Sequence, residues 1–202
     1  KLYSDSFTDG DFIAGDNAFA VIANPGHVAL SRNRNPHLAW SDLPMGTRSF
    51  ALTVIDHDVP SAGDAVNVVG LIVPSDLPRV AFTHWLLANL PEHVPEIEAG
   101  SFSDGITARG KPAQGVHGSV QGLNDYTAWF AGDPQMSGQY HGYDGPCPPW
   151  NDERMHHYVF TLYALSVDHV DLPESFNAQQ LQDAIAPHVL DQASMIGRYT
   201  LN

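Results

Sequence analysis

The chain has 202 residues, of which 43% are apolar and 10% aromatic, and 23 acidic against 9 basic residues give a formal net charge of −14. This length predicts one domain over residues 1–202, with apolar content sufficient for a sizeable core. The acidic balance argues against nucleic-acid binding, which needs clustered Lys and Arg, and against electrostatic docking on an anionic membrane.

Three runs of β-branched and aromatic residues predict the main strands. They cover residues 49–55, 84–90 and 159–165, and the connections between them are rich in Gly, Pro, Asn and Asp. Such residues are typical of turns. The pattern therefore predicts a mainly β fold with an antiparallel sheet at its core.

One helix is predicted near the end of the chain. Asn177 and Gln180 have the spacing of a capping box, and Pro187 predicts a break in the helical pattern. The apolar residues at helical spacing are Leu181, Ala184, Ile185, Val189 and Leu190. Gly197 is expected to end the pattern, and residues 199–201 to return to a sheet.

A single cysteine, Cys147, excludes an intrachain disulfide and leaves the compartment open. No stretch approaches 18 apolar residues, so we expect no membrane span. The cytoplasm is slightly favoured. A periplasmic or secreted protein is the alternative, because the chain starts with Lys1 and a signal peptide could have been removed.

Polar residues cluster at the ends of the three predicted strands. Asp56, His57 and Asp58 follow the first strand, His84 opens the second, and residues 156–158 open the third. The alternatives are a solvated turn for the first group and an edge position for His84. A rigid Gly/Pro loop, residues 142–149, precedes the last group and predicts one wall of a small-molecule pocket.

The alternation of side chains along a strand separates these residues into faces. It places Asp56 and Asp58 on one face of their strand, and His156 and Tyr158 on one face of theirs. The intervening histidines point the other way. The sequence thus predicts a compact site of carboxylate, imidazole and phenol groups.

No metal or nucleophile motif accompanies this cluster. The chain lacks His-Glu-x-x-His, His-x-His and a cysteine pair, so zinc is the weaker interpretation. It also lacks a Gly-x-Ser-x-Gly elbow and nucleotide-binding loops, and Cys147 has prolines rather than a cationic group beside it. We therefore expect no metal, no cofactor and no catalysis.

The remaining interpretation of these groups is a weak anion site. Imidazole, phenol and backbone N–H groups can bind phosphate without lysine. Asp56 would repel the phosphate unless this carboxylate is protonated, pairs with an imidazolium or meets an ammonium group of the ligand. A zwitterion such as phosphoethanolamine satisfies both partners.

Six motifs, in order, resemble the phosphatidylethanolamine-binding protein family, also called the Raf kinase inhibitor protein family, and its bacterial branch in particular. The resemblance runs from about residue 3 to residue 201 and rests on residues 35–40, 56–60, 84–91, 122–126, 145–149 and 156–158. Each motif is short, and the specificity comes from finding all six in family order.

The resemblance implies an antiparallel β core, a short C-terminal helical element and a small anion pocket. It implies a non-enzymatic protein that binds a phosphate-bearing small molecule or a phospholipid head group. By analogy with bacterial relatives, a homodimer is expected. The residues to which it assigns ligand binding are Asp56, Asp58, His84, Trp85, Pro148, Pro149, His156 and Tyr158. The alternatives are regulation through a protein partner, as a kinase or protease inhibitor, and, less favoured, a hydrolase.

The sequence departs from the family pattern in three places. His57 replaces the usual proline and His157 the usual arginine. Residues 61–83 are long compared with animal members. They are expected to form a surface excursion rather than a lid or a dimer contact.

Overall fold

The computed structural model describes residues 1–202, and its strands hold 35% of the residues and its helices 10%, which confirms the predicted mainly β class. The strands are β1 (Leu2–Tyr3), β2 (Ala20–Ala23), β3 (His27–Leu30), β4 (Leu38–Trp40), β5 (Ser49–Pro60), β6 (Arg79–Pro91), β7 (Glu96–Ile97), β8 (Val120–Gln121), β9 (His156–Leu165) and β10 (Val189–Tyr199). The helices are α1 (Tyr126–Trp129) and α2 (Ala178–Ile185), and short 3-10 turns cover Gly15–Asn17, Val116–Gly118 and Ala186–His188.

The three predicted strands form the centre of a five-stranded antiparallel sheet. Its strand order is β10-β9-β5-β6-β8, so β5 lies between β9 and β6. A three-stranded sheet, β1-β4-β7, and the β2-β3 hairpin complete the β structure. Because β5, β6 and β9 are neighbours, their polar residues come together. Only His156 lies at a strand end as predicted, since β5 continues beyond Asp56 and β6 begins before His84.

Both faces of the large sheet are covered by apolar side chains. On one face, Phe50, Leu52 and Phe160 belong to a buried cluster of 23 residues. On the other face, Leu86 packs in a cluster with Leu181 and other apolar residues of α2. Burial of each large apolar side chain contributes about 1.5–3 kcal/mol, so the sheet holds the polar cluster on a rigid frame.

Helix α2 begins with the predicted capping box. The Gln180 backbone N–H donates to Asn177 Oδ1 over 2.8 Å, and the Asn177 N–H donates to Gln180 Oε1 over 2.9 Å. These two bonds satisfy donors that an isolated helix start would leave without partners. No helix is both long and apolar enough to cross a membrane.

The predicted continuation of this helix through Val189 and Leu190 is wrong. The α-helix ends at Ile185, a 3-10 turn contains Pro187, and β10 starts at Val189. Proline lacks the N–H that would continue the helix. Beyond it, β10 pairs with β9 along nearly its whole length and runs through Gly197, so tertiary pairing overrides the local apolar spacing.

The connection between β5 and β6 lies against the segment that precedes β9. The Asn151 side chain organises it, donating to the carbonyls of Ala65 (2.8 Å) and Leu71 (2.9 Å) and accepting from the Asn67 N–H (2.9 Å). β6 begins at Arg79, so the unpaired part of the predicted insertion is shorter than residues 61–83.

We predict that Asn177→Ala lowers the free energy of unfolding by about 1 kcal/mol, because the helix loses its N-cap acceptor. Asn177→Asp keeps a side-chain oxygen at the cap and should stay close to wild type. Urea unfolding of the three proteins gives the comparison. Equal stability of the alanine and aspartate variants would contradict the role of the cap.

Candidate functional site

The three central strands become irregular where the polar residues meet. Asp56 of β5 lies opposite Tyr158 of β9 and Phe82 of β6. The pairing of β5 with β6 shifts by one residue at His84, which forms a β-bulge. Bulges redirect side chains. Here the His84 ring packs edge to face on Tyr158, with centroids 5.0 Å apart.

His156 lies between two carboxylates. Its Nδ1 is 2.5 Å from Asp56 Oδ2, and its Nε2 is 2.8 Å from Asp152 Oδ2. Burial lowers the pKa of His156, but the hydrogen bonds and charges of both carboxylates raise it more, to about 9. At neutral pH this residue is therefore an imidazolium whose two N–H groups both donate to protein carboxylates.

Arg79 continues this arrangement on the far side of Asp152. Its guanidinium donates to both Asp152 oxygens, over 2.6 and 3.0 Å. The remaining N–H groups donate to the carbonyls of Asp58 (2.9 Å), Pro74 (2.9 Å) and Leu77 (3.1 Å). All five guanidinium donors are thus used, and they tie the β5–β6 connection to the cluster.

Charges alternate along the series Arg79, Asp152, His156 and Asp56. Burial raises the pKa of Asp152, but hydrogen bonds from His156 and Arg79 lower it more, to about 2. Sequence reasoning missed both Arg79 and Asp152, because neither lies on a periodic apolar pattern. The only signal in the sequence was indirect. With 9 basic and 23 acidic residues, each buried basic side chain is expected to pair with a carboxylate.

His84 and Tyr158 keep unused hydrogen-bonding capacity. His84 Nδ1 donates to the Asp144 carbonyl over 2.7 Å, and its Nε2 has no protein partner. Burial lowers the pKa of His84 more than nearby acidic groups raise it. The buried Tyr158 hydroxyl has no partner with hydrogen-bond geometry. Burial, followed by the charge of the nearby Asp56 carboxylate, raises its pKa well above the usual value.

Asp144 anchors the Gly/Pro loop that orients His84. Its buried carboxylate accepts hydrogen bonds from Asn33 (2.7 Å), Lys111 (2.9 Å) and Asn124 (2.8 Å). These bonds fix the backbone at residue 144, whose carbonyl accepts from His84. Asp144 was also missed from the sequence, since its partners come from three distant segments.

Asp58, which the sequence predicts to bind the ligand, pairs with Arg154 and His157 beside the cluster. Its carboxylate is 3.0 Å from Arg154 Nε and accepts from both the backbone N–H and the ring Nδ1 of His157, each over 2.9 Å. His157 is otherwise exposed, as the strand alternation predicts.

Trp85, Pro148 and Pro149 form the frame. The buried Trp85 indole donates to Gln121 Oε1 over 2.9 Å, and the two prolines are buried beside the exposed Cys147. The structure therefore brings Asp56, His84, His156 and Tyr158 into contact, each exposing at most 3% of its surface, and places the other predicted residues around them.

A surface groove with a volume of about 520 Å³ lies outside this cluster. Residues 150–153 separate the two: Trp150, Asn151 and Glu153 line the groove, whereas the Asp152 side chain bonds to His156. Its other lining residues include the exposed Ile22 and Ile72.

Known proteins share both the sequence pattern and the fold. The sequence profile of the phosphatidylethanolamine-binding proteins matches residues 3–200. YbhB of Escherichia coli is 27% identical over 200 residues, and the match covers 99% of each chain. A protein of Aquifex aeolicus is 30% identical over 199 residues, covering 98% of this chain and 87% of its own.

The fold matches the crystal structure of Escherichia coli YbcL, described as a new member of the mammalian PEBP family. The TM-score is 0.69 at 23% identity, and the match covers 100% of this chain and 98% of the other. A Chlamydia trachomatis homologue gives a TM-score of 0.66 at 26% identity, covering 98% and 95%.

We predict that stability depends on pH through His156. A group whose pKa rises from 6.5 in the unfolded chain to about 9 in the folded protein binds more protons when folded. Its contribution is therefore complete below pH 6.5 and is lost as the pH rises through about 9. Urea unfolding across this range should show the free energy of unfolding falling.

In His156→Gln, which cannot carry the charge, this fall should be absent. The matched control is His93→Gln, because His93 is an exposed histidine outside the cluster, and that variant should keep the wild-type pH profile. If His156→Gln shows the same fall as wild type, the charged state of His156 is not its source.

Proposed function

Because the chain belongs to the phosphatidylethanolamine-binding protein family, we propose that the cluster of Asp56, His84, His156 and Tyr158 binds phosphate-bearing head groups such as phosphoethanolamine, without catalysis. The observation that supports this most directly is the Tyr158 hydroxyl, which is buried and lacks a hydrogen-bond partner. Leaving such a group unsatisfied costs about 1–3 kcal/mol, and a ligand oxygen would satisfy it.

The charge of Asp56 does not oppose this assignment. The carboxylate pairs with the His156 imidazolium, which is one of the three ways to relieve its repulsion of a phosphate. Each Asp56 oxygen accepts one protein hydrogen bond, from His156 or from the Asp58 N–H. A carboxylate has about four acceptor positions in all, so an ammonium group of the ligand could also bind there.

The predicted residues then take different roles. His84 and Tyr158 contact the phosphate, while His156 acts through Asp56, since both its ring nitrogens already have partners. Trp85, Pro148 and Pro149 form the frame, with Asp58 at the rim. We expect the ligand to enter beside the exposed Cys147, which lies near the Tyr158 hydroxyl.

A hydrolase has less support. Nucleophilic catalysis requires a base within hydrogen-bond distance of a hydroxyl or thiol. His84 Nδ1 is bonded to a backbone carbonyl, and its free Nε2 forms no hydrogen bond with a serine, threonine or cysteine side chain. The His156 nitrogens are bonded to carboxylates. Family membership supports a binding or regulatory protein. A protein partner, a homodimer and the role of the β5–β6 connection remain predictions.

We predict that Tyr158→Phe weakens phosphoethanolamine binding about ten- to a hundredfold, because a hydrogen bond to a charged group contributes about 1.5–3 kcal/mol. Calorimetric titration measures the change. Tyr163→Phe is the matched control. It removes a hydroxyl from the same strand that contacts Gln182, outside the cluster, and should bind as wild type does.

Equal affinity of wild type and Tyr158→Phe would reject this assignment, as would absence of binding to wild type. Cys147 is the only cysteine and gives a second readout. Bound phosphoethanolamine should slow its alkylation by a small maleimide in wild type and in Tyr163→Phe.

A further inference from the structure

Almost all the hydrogen-bond donors of the cluster already have acceptors within the protein. Both His156 nitrogens donate to carboxylates, and Asp56 accepts from His156 and from the Asp58 N–H. The Tyr126 hydroxyl, which borders His84, donates to the Gly145 carbonyl over 2.6 Å. None of these groups has a hydrogen left to offer a ligand.

Two side-chain groups remain, and they are complementary. The Tyr158 O–H has no acceptor with hydrogen-bond geometry, although the Asp56 carboxylate lies near it. His84 donates its Nδ1–H to the Asp144 carbonyl, so in the neutral ring Nε2 carries a lone pair and accepts. Apart from the acceptor positions that Asp56 keeps for an ammonium group, the unfilled capacity of the cluster is thus one donor and one acceptor.

The surroundings of His84 keep the ring neutral. Burial lowers its pKa, and the nearby acidic groups raise it by less. The titratable groups that face it, with their elements, are Asp56 (β5), Tyr158 (β9), Tyr126 and Asp125 (at α1) and Asp144 (the Gly/Pro loop). The only neighbouring imidazolium, His156, is bonded on both sides to carboxylates.

A ligand that fits one donor and one acceptor must itself offer both. A singly protonated phosphomonoester has a P–OH group and unprotonated oxygens. The phosphate group of a fully ionised phosphomonoester or of a phosphodiester, and the sulfate group of a sulfate ester, have acceptors only. We propose that this site selects phosphomonoesters in their singly protonated form, with the P–OH on His84 Nε2 and a phosphate oxygen on the Tyr158 hydroxyl. This inference rests on the proposed function, and it separates free phosphomonoesters from phospholipid head groups, which are diesters.

The proton count of the complex follows directly. At a pH where the free phosphate is doubly ionised and free His84 is neutral, binding adds one proton to the complex. The count is the same whether that proton lies on a phosphate oxygen or on His84 Nε2. Because the second pKa of a phosphomonoester is about 6, affinity should fall about tenfold for each pH unit above that value. Titrations at about pH 8, in two buffers of different ionisation enthalpy, should show about one proton taken up per ligand.

Three ligands of related shape make the test selective. They are phosphoethanolamine, ethanolamine O-sulfate and glycerophosphoethanolamine. The sulfate group of the second carries no proton at neutral pH, and the third is a phosphodiester. We expect the last two to bind about tenfold or more weakly at about pH 7, because the Nε2 lone pair would face an acceptor. Equal binding of the sulfate ester or the diester would overturn the proposal, as would pH-independent affinity without proton uptake. If phosphoethanolamine does not bind at any pH, the proposed function itself fails.

His84→Gln tests the residue. Its amide can hydrogen-bond but cannot take up a proton, so the pH dependence and the discrimination against the sulfate ester should both disappear. Tyr163→Phe should keep both. A folded His84→Gln protein with unchanged pH dependence would overturn the role of His84. If the variant does not fold, the wild-type ligand series and proton count decide the proposal.

Discussion

The placement of one imidazolium between two carboxylates determines the rest of the site. His156 joins Asp56 on β5 to Asp152 in the segment before β9, and Arg79 extends the series to the start of β6. A buried ion pair contributes little by itself, but removing one partner leaves an unpaired charge at a cost of about 3–5 kcal/mol. These groups therefore act as a unit. With Asp56 paired to His156, His84 and Tyr158 are the residues that the proposed ligand would contact.

The parts of this arrangement that follow local rules could be predicted from the sequence. Strand alternation placed His156 and Tyr158 on one buried face and His157 on the exposed one, as the burial of β9 shows. The capping box predicted the start of α2 correctly. Its two hydrogen bonds join residues only three positions apart, so the pattern is local. Family resemblance supplied the fold, but the roles of the site residues stay proposals.

The parts that depend on distant contacts could not be predicted. Arg79 and Asp152 are 73 positions apart, and Asp152 lies outside any regular element. The bulge at His84 depends on the register between β5 and β6, which no single strand specifies. Val189 fits a helical spacing equally well, and beyond Pro187 its pairing with Leu165 decides the conformation. In each case the deciding partner is remote in sequence.

The acceptor that orients His84 belongs to the main chain rather than to a side chain. A carbonyl at position 144 survives any substitution there, so the tautomer of His84 is not encoded by one replaceable residue. A substitution of Asp144 would affect His84 only indirectly. It would remove the hydrogen bonds of the Asp144 carboxylate and so allow the loop to move. Relatives with different residues at this position can therefore keep the same hydrogen bond to the histidine, and a comparison of side chains alone would not reveal it.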